Sequence, residues 1–388
     1  MKSKTVHYVI PIFLFSIIWS AEEFFISTRY TEAGIDVQTV GLLFAFSSII
    51  SLVLDIPAGK LSDRIGREKL ITYSMILVAL AMLLLFLSSS FIWFVVSTGL
   101  IGIAYGLNWS PLMAYVGDMA KKNNRGTTFG DFFTLTAIGE AVAPILTVAM
   151  VMMTNNRFPF LIFAIVAVFC CIMFANLKPE RRPDIPKNHP TRVLSYKSSW
   201  RILSKLGPRS IFLLLMGFFV SFFWESVWFS QPLVGVYENS LLDAALIVAA
   251  FSLPTIIFSK PLGKLIDHIG ERKVFFYSLF FVMLCFLLFY ISPSLPLKLG
   301  SIFMASTGVV GVWLVLDVLS VKLNKREERG EFFGILETVR DSSYAIAPLF
   351  IGFSYKAIGL NGVFIVNAII AAILMIFGIW LFKKKTLY

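Results

Sequence analysis

Gly59 to Lys69 reads GKLSDRIGREK, and Gly263 to Lys273 reads GKLIDHIGERK. Long apolar runs flank both stretches. Gly59, Lys60, Leu61, Asp63, Ile65, Gly66 and Lys69 recur at one constant offset as Gly263, Lys264, Leu265, Asp267, Ile269, Gly270 and Lys273. The same offset returns Trp109 as Trp313. It returns Arg125, Gly126, Phe129 and Gly130 as Arg329, Gly330, Phe333 and Gly334, and Ala143 and Pro144 as Ala347 and Pro348. One offset holding across separated pieces marks an internal duplication. The short charged loop is a landmark in each half.

Composition sets the solvent. Of 388 residues, 57% are hydrophobic and 15% charged, and the mean hydropathy is +0.81. A soluble chain cannot hide that much apolar surface, so the runs predict membrane spans. They fall near 6–28, 36–58, 70–90, 91–116, 128–153, 157–177, 209–233, 241–262, 272–292, 297–320, 332–355 and 360–382. Each approaches the ~20 residues that a helix needs to cross hydrocarbon, and none alternates as a barrel strand would. The first run contains Glu22 and Glu23 and lacks a small-residue cleavage site, so it reads as a span rather than a signal peptide. The expected fold is an all-α membrane protein with twelve transmembrane helices in two pseudo-symmetric six-helix bundles. The expected domains are 1–178, a cytoplasmic linker 179–208, and 209–388.

The net charge of +11 follows this topology rather than a nucleic-acid face. With both termini cytoplasmic, nearly all of the 34 Lys and Arg residues lie on the inner side, as the positive-inside rule requires. Only Arg29, Arg157, Lys298 and Lys356 fall outside, and Arg340 lies within a helix. The expected location is therefore the inner (plasma) membrane, multi-pass. The linker is rich in Pro and basic residues. Its second part, Val193 to Leu206, reads either as a short interfacial helix or as an irregular tether. No loop is long enough for a catalytic domain, so the chain reads as no enzyme. Cys170, Cys171 and Cys285 lie in apolar runs without metal-ligand spacing. No metal, cofactor or nucleic acid is expected, and no phosphate-binding Gly-x4-Gly-Lys-Ser/Thr string occurs.

Parallel six-helix repeats are a transporter design. The first charged loop resembles the signature of the major facilitator superfamily, carried by Gly59, Leu61, Asp63, Arg64, Gly66 and Arg67; the likeness extends over essentially the whole chain. The second copy departs from it at His268 and Glu271. The resemblance implies a conformational latch, with Asp63 pairing near Arg340 on helix 11 and Arg64 meeting Asp118 on helix 4. The plainer alternative is that these charges only fix topology. GKLIDHIGERK is expected to be the weaker counterpart. Helix 5 is similar to the family's antiporter motif through Gly130, Gly139, Ala143 and Pro144, although Ala143 and Thr147 replace glycines. Ordinary small-residue packing is the alternative there. The arginine that many proton-coupled relatives carry in helix 4 is absent from Ser97–Gly106.

Ionisable residues at membrane depth are functional hypotheses by default. Glu22 and Glu23 in helix 1 and Glu225 in helix 7 stand beside Trp19, Trp224 and Trp228. Acid next to tryptophan suits a lipophilic cation, or a proton. Helix–helix bonding is the alternative. Successive residues point about 100° apart, so one of Glu22 and Glu23 is expected to face a cavity. Glu140 in helix 5 is a further proton or substrate candidate. Tyr105, Asn108, Trp109 and Trp313 read either as cavity lining or as structural residues. Glu337, Arg340 and Asp341 read as a self-neutralising cluster, and Asp55, Asp118, Asp317 and Lys260 as boundary charges. The expected activity is proton-coupled export of a hydrophobic or cationic small molecule by a monomer. Uptake of a neutral solute such as a sugar is the alternative, and a receptor or lipid-handling protein is the alternative of another class.

Overall fold

In hydrocarbon each backbone N–H and C=O must find its partner within the protein, and a helix satisfies them within one segment. The computed structural model describes residues 6–119, 125–176, 207–323 and 329–383, and these hold twelve helices and no strand. The chain divides into two units, Met1–Val193 and Leu194–Tyr388. In the first lie α1 (Val6–Glu32), α2 (Val37–Ile65), α3 (Arg67–Leu87), α4 (Phe91–Met119), α5 (Arg125–Met153) and α6 (Phe158–Ala175). The second holds α7 (Pro208–Tyr237), α8 (Leu241–Ile269), α9 (Glu271–Ile291), α10 (Leu295–Leu323), α11 (Arg329–Ile358) and α12 (Val363–Lys383). Apart from Gly207 and Pro208, the expected linker and its surface helix lie outside the described residues.

Ten helices are individually long and apolar enough to span. The last two qualify only as a pair, Gly334–Ile358 with Val363–Ile379, bent by 114° at the break between them. α11 is the helix that carries Glu337, Arg340, Asp341 and Lys356.

The two landmark stretches are less loop-like than expected. α2 continues through Gly59–Ile65, and α8 through Gly263–Ile269. Each helix breaks at one residue, Gly66 with φ 113° or Gly270 with φ 87°. Only glycine adopts such angles without steric strain. The intrahelical ladder runs to the break, with Gly66 N–H donating to Ser62 O at 3.0 Å and Gly270 N–H to Ile266 O at 2.9 Å. Charged side chains are compatible with a helix, so charge alone did not mark a loop.

Duplication in sequence becomes duplication in packing. α1 packs on α5, α2 and α3 on α4, and α3 on α6; α7 packs on α11, α8 and α9 on α10, and α9 on α12. Glycine permits the closest of these approaches. A Cβ on Gly106 of α4 would lie 2.8 Å from Ser51 O and 2.7 Å from Leu54 Cβ on α2. A Cβ on Gly308 of α10 would lie 2.6 Å from Ser278 O on α9. Gly106→Leu should therefore push α4 off α2, costing on the order of 2 kcal/mol or more. Thermal melting of the purified protein checks this. Gly300→Leu, whose Cβ would meet nothing within 4 Å, should melt like the parent.

Candidate functional site

Three helices of the first unit bring acids and aromatic rings together. On α1, Trp19 and Glu23 are one turn apart and share a face, and Trp19 Nε1–H donates to Glu23 Oε2 at 3.2 Å. Tyr105 of α4 lies stacked on Trp19, with ring centroids 3.8 Å apart and planes at 16°. Its hydroxyl donates to Glu22 Oε2. One turn further along α4, the Trp109 ring lies 5.8 Å from Trp19 and 6.2 Å from Phe132 of α5. Phe15 closes the edge of Trp19 at 5.6 Å. Glu22 is 4% exposed, whereas Glu23 is half-buried. Both carboxylates therefore belong to one cluster. The 100° between them separates the partners, a tyrosine hydroxyl and an indole N–H.

α5 brings the third acid. A Cβ on Gly139 would collide with Ser16 Oγ and lie 2.9 Å from Ser16 Cβ, so the glycine sets the approach of α5 to α1. The next residue, Glu140, is half-buried and within electrostatic range of Glu23. Ala143 and Pro144 are buried, but a Cβ on Gly130 would meet nothing within 4 Å. Close packing thus engages only part of the motif.

Two expected cavity residues are core residues instead. Asn108 is fully buried, and its Nδ2 donates to Ser74 Oγ of α3 at 2.7 Å. This is a bond between helices, made because α3 covers that side of α4. Trp228 is 1% exposed. Trp224 is half-buried, its ring 5.0 Å from Phe251 of α8. Glu225 is also buried. The similar acid–tryptophan strings of α1 and α7 therefore build different surroundings. α8 covers Trp224 with Phe251, whereas α4 offers Trp19 the polar Tyr105.

In the second unit a cation is already seated. Arg340 of α11, 4% exposed, places Nη1 2.6 Å from Glu337 Oε1 and Nη2 2.7 Å from Asp317 Oδ1 of α10. Its guanidinium lies over the Trp313 ring, 4.3 Å from the centroid. Asp317, read from sequence as a boundary charge, is thus half of this cluster. Its place one turn beyond Trp313 was the signal that could have found it. Both Nη groups of Arg340 are thus engaged inside its own unit.

The first landmark is also paired locally. Arg67 Nη1 lies 2.7 Å from Asp118 Oδ2, and Arg67 Nη2 lies 3.4 Å from Asp63 Oδ1. The cation on Asp118 is therefore Arg67, not Arg64. Arg67 follows the break at Gly66 and starts α3, which brings it to the end of α4. A Cβ on Gly59 would lie 3.2 Å from Ser110 Oγ, so α2 and α4 also approach closely here.

The sequence model of the Major Facilitator Superfamily matches residues 9–245 and 213–387. The chain belongs to the Major Facilitator Superfamily. This facilitator is 24% identical over 337 residues to the multidrug resistance protein MdtG of Escherichia coli O9:H4 (strain HS), covering 84% of this chain and 80% of that one. It is 26% identical over 238 residues to the uncharacterized MFS-type transporter YfkF of Bacillus subtilis (strain 168), covering 60% and 58%. Its fold is similar to the crystal structure of the nucleoside transporter NupG, with a TM-score of 0.77, 13% identity, and 98% and 100% of the two chains covered. A bacterial homolog of the human lysosomal transporter Spinster, inward-facing and occupied, gives 0.77, 14%, 97% and 96%. The protein is a multi-pass membrane transporter and not an enzyme.

Arg340 is buried, whereas Asp317 and Glu337 are 40% and 53% exposed, so its loss leaves two acids that are only partly stranded. Arg340→Ala in this facilitator should cost about 1–2 kcal/mol, read as a fall in melting temperature. Asp317→Asn leaves the Glu337 pair in place and should cost less.

Proposed function

We propose that the transporter exports a hydrophobic, cationic small molecule in exchange for protons. It would act as a monomer in the plasma membrane, with both termini cytoplasmic. The observation that carries this reading is the cluster of Glu22, Glu23, Trp19, Tyr105 and Trp109, with Glu140 close by. A carboxylate at membrane depth is costly unless something neutralises it. A bound proton does so, and so does the positive charge of a substrate. The two are mutually exclusive at one oxygen, and that exclusion is the coupling: cation entry expels the proton, and reprotonation releases the cation.

The second unit supports the chemistry. Arg340 is a planar cation lying on Trp313 between two carboxylates. Trp109 is the equivalent tryptophan in the repeat, and it stands with Trp19 and Tyr105 beside Glu22 and Glu23. A cationic substrate would take in the first unit the place that Arg340 takes in the second, held by carboxylate charge and by the ring face. The name of the relative MdtG, a multidrug resistance protein, points to the same class of substrate.

Proteoliposomes with an imposed pH gradient test this, using ethidium as a planar lipophilic cation. Glu22→Gln and Glu23→Gln should each reduce gradient-driven flux to background, and Glu140→Gln should reduce it partly. Trp109→Leu should weaken ethidium binding while leaving the melting temperature nearly unchanged. Full flux in all three glutamine variants would reject the carboxylate assignment.

A further inference from the structure

The ion pair at the α2–α3 break has a counterpart in the second unit, with its polarity reversed. Arg67 and Asp118 are equivalent in the repeat to Glu271 and Lys322. Lys322 Nζ holds both Glu271 oxygens at 3.0 Å. Contact and position are kept, and both charges are exchanged. The departure of GKLIDHIGERK from the first copy is thus half of a paired change, because its partner on α10 differs in the same sense.

Reversal alters what each pair can do. In the first unit Arg67 lies between two acids, Asp118 at 2.7 Å and Asp63 at 3.4 Å. Its Nε is buried and has no acceptor among the described residues. Arg67 can therefore leave one carboxylate and remain paired with the other. In the second unit the residue equivalent to Asp63 is Asp267, again an acid, so it offers Glu271 no alternative cation. Among the described residues Lys322 is the cation that holds Glu271.

Helix ends add to the difference. Glu271 opens α9, and its carboxylate also accepts its own backbone N–H; Lys322 lies in the last turn of α10. An anion at a helix N-terminus and a cation at a C-terminus are both favoured by the helix dipole. Arg67 opens α3 and Asp118 lies in the last turn of α4, so both oppose it. Glu68 offsets part of this on α3, as Arg272 does in the opposite sense on α9; Glu271 is buried where Arg272 is exposed, whereas Arg67 and Glu68 are both half-buried.

We infer that Glu271–Lys322 is a fixed brace and that, among the described residues, it is the first unit that carries a clamp able to exchange partners. The second landmark is then the firmer of the two, contrary to the expectation from its sequence. Hydrogen–deuterium exchange of the full-length protein in detergent tests this, because it requires no substrate. Residues 263–273 should exchange about tenfold more slowly than 59–69, the factor that two charge–dipole contacts of opposite sign supply. Glu271→Arg with Lys322→Asp keeps an ion pair but gives the second unit the polarity of the first, with Asp267 as the second acid. It should bring 263–273 to the faster rate. Arg67→Glu with Asp118→Lys should slow 59–69 by a similar factor. The single change Lys322→Gln should speed exchange at 263–273 and lower the melting temperature, which keeps the test open if a double variant does not fold. Equal protection of the two segments in the parent, rates that stay with position when polarity is exchanged, or an unaltered melt for Lys322→Gln would each overturn the proposal.

Discussion

A buried charge must find its hydrogen-bond or ionic partners where it sits, and this constraint accounts for several of the polar contacts between helices. Arg29 of α1 gives its N–H groups to Leu85 O, Ser88 O and Ser89 Oγ, and so caps the end of α3. Arg340 takes two carboxylates and a ring face. Glu22 takes a tyrosine hydroxyl.

The same constraint separates the two halves. Both inherit one scaffold, with the same helix pairings and the same glycine breaks. In the second unit Arg340 is matched by Asp317 and Glu337. The first unit gathers three acids, Glu22, Glu23 and Glu140, around aromatic rings, and a hydroxyl and an indole N–H donate to two of them. Neither donor supplies a full positive charge.

Small residues do the geometric work. Gly139 lets α1 and α5 close to van der Waals contact, and Gly106 does the same for α2 and α4. Without the first approach Glu140 would stand away from Glu23. Glycine at Gly66 and Gly270 has a different task, since each turns the chain at a positive φ.

Helices, their number, the duplication and the family were legible in the sequence. Each rests on local pattern: apolar runs of spanning length, one repeat offset and a short charged motif. Glu22, Glu23, Trp19, Tyr105 and Trp109 were also legible as candidates, because charge and tryptophan are rare at depth. Which of them meet was decided by helix packing. Sequence could not tell that Asn108 faces α3, that Trp228 lies in the core, or that Asp317 reaches Arg340 from another helix. It assigned Asp118 to Arg64, when the turn at Gly66 delivers Arg67. Side-chain partners across helices depend on rotation and closeness of approach, and these are set by contacts between residues far apart in the chain. Residue types at depth were therefore fixed by sequence alone, whereas the tertiary structure decided which of them meet, because only packing sets the rotation and closeness of the helices.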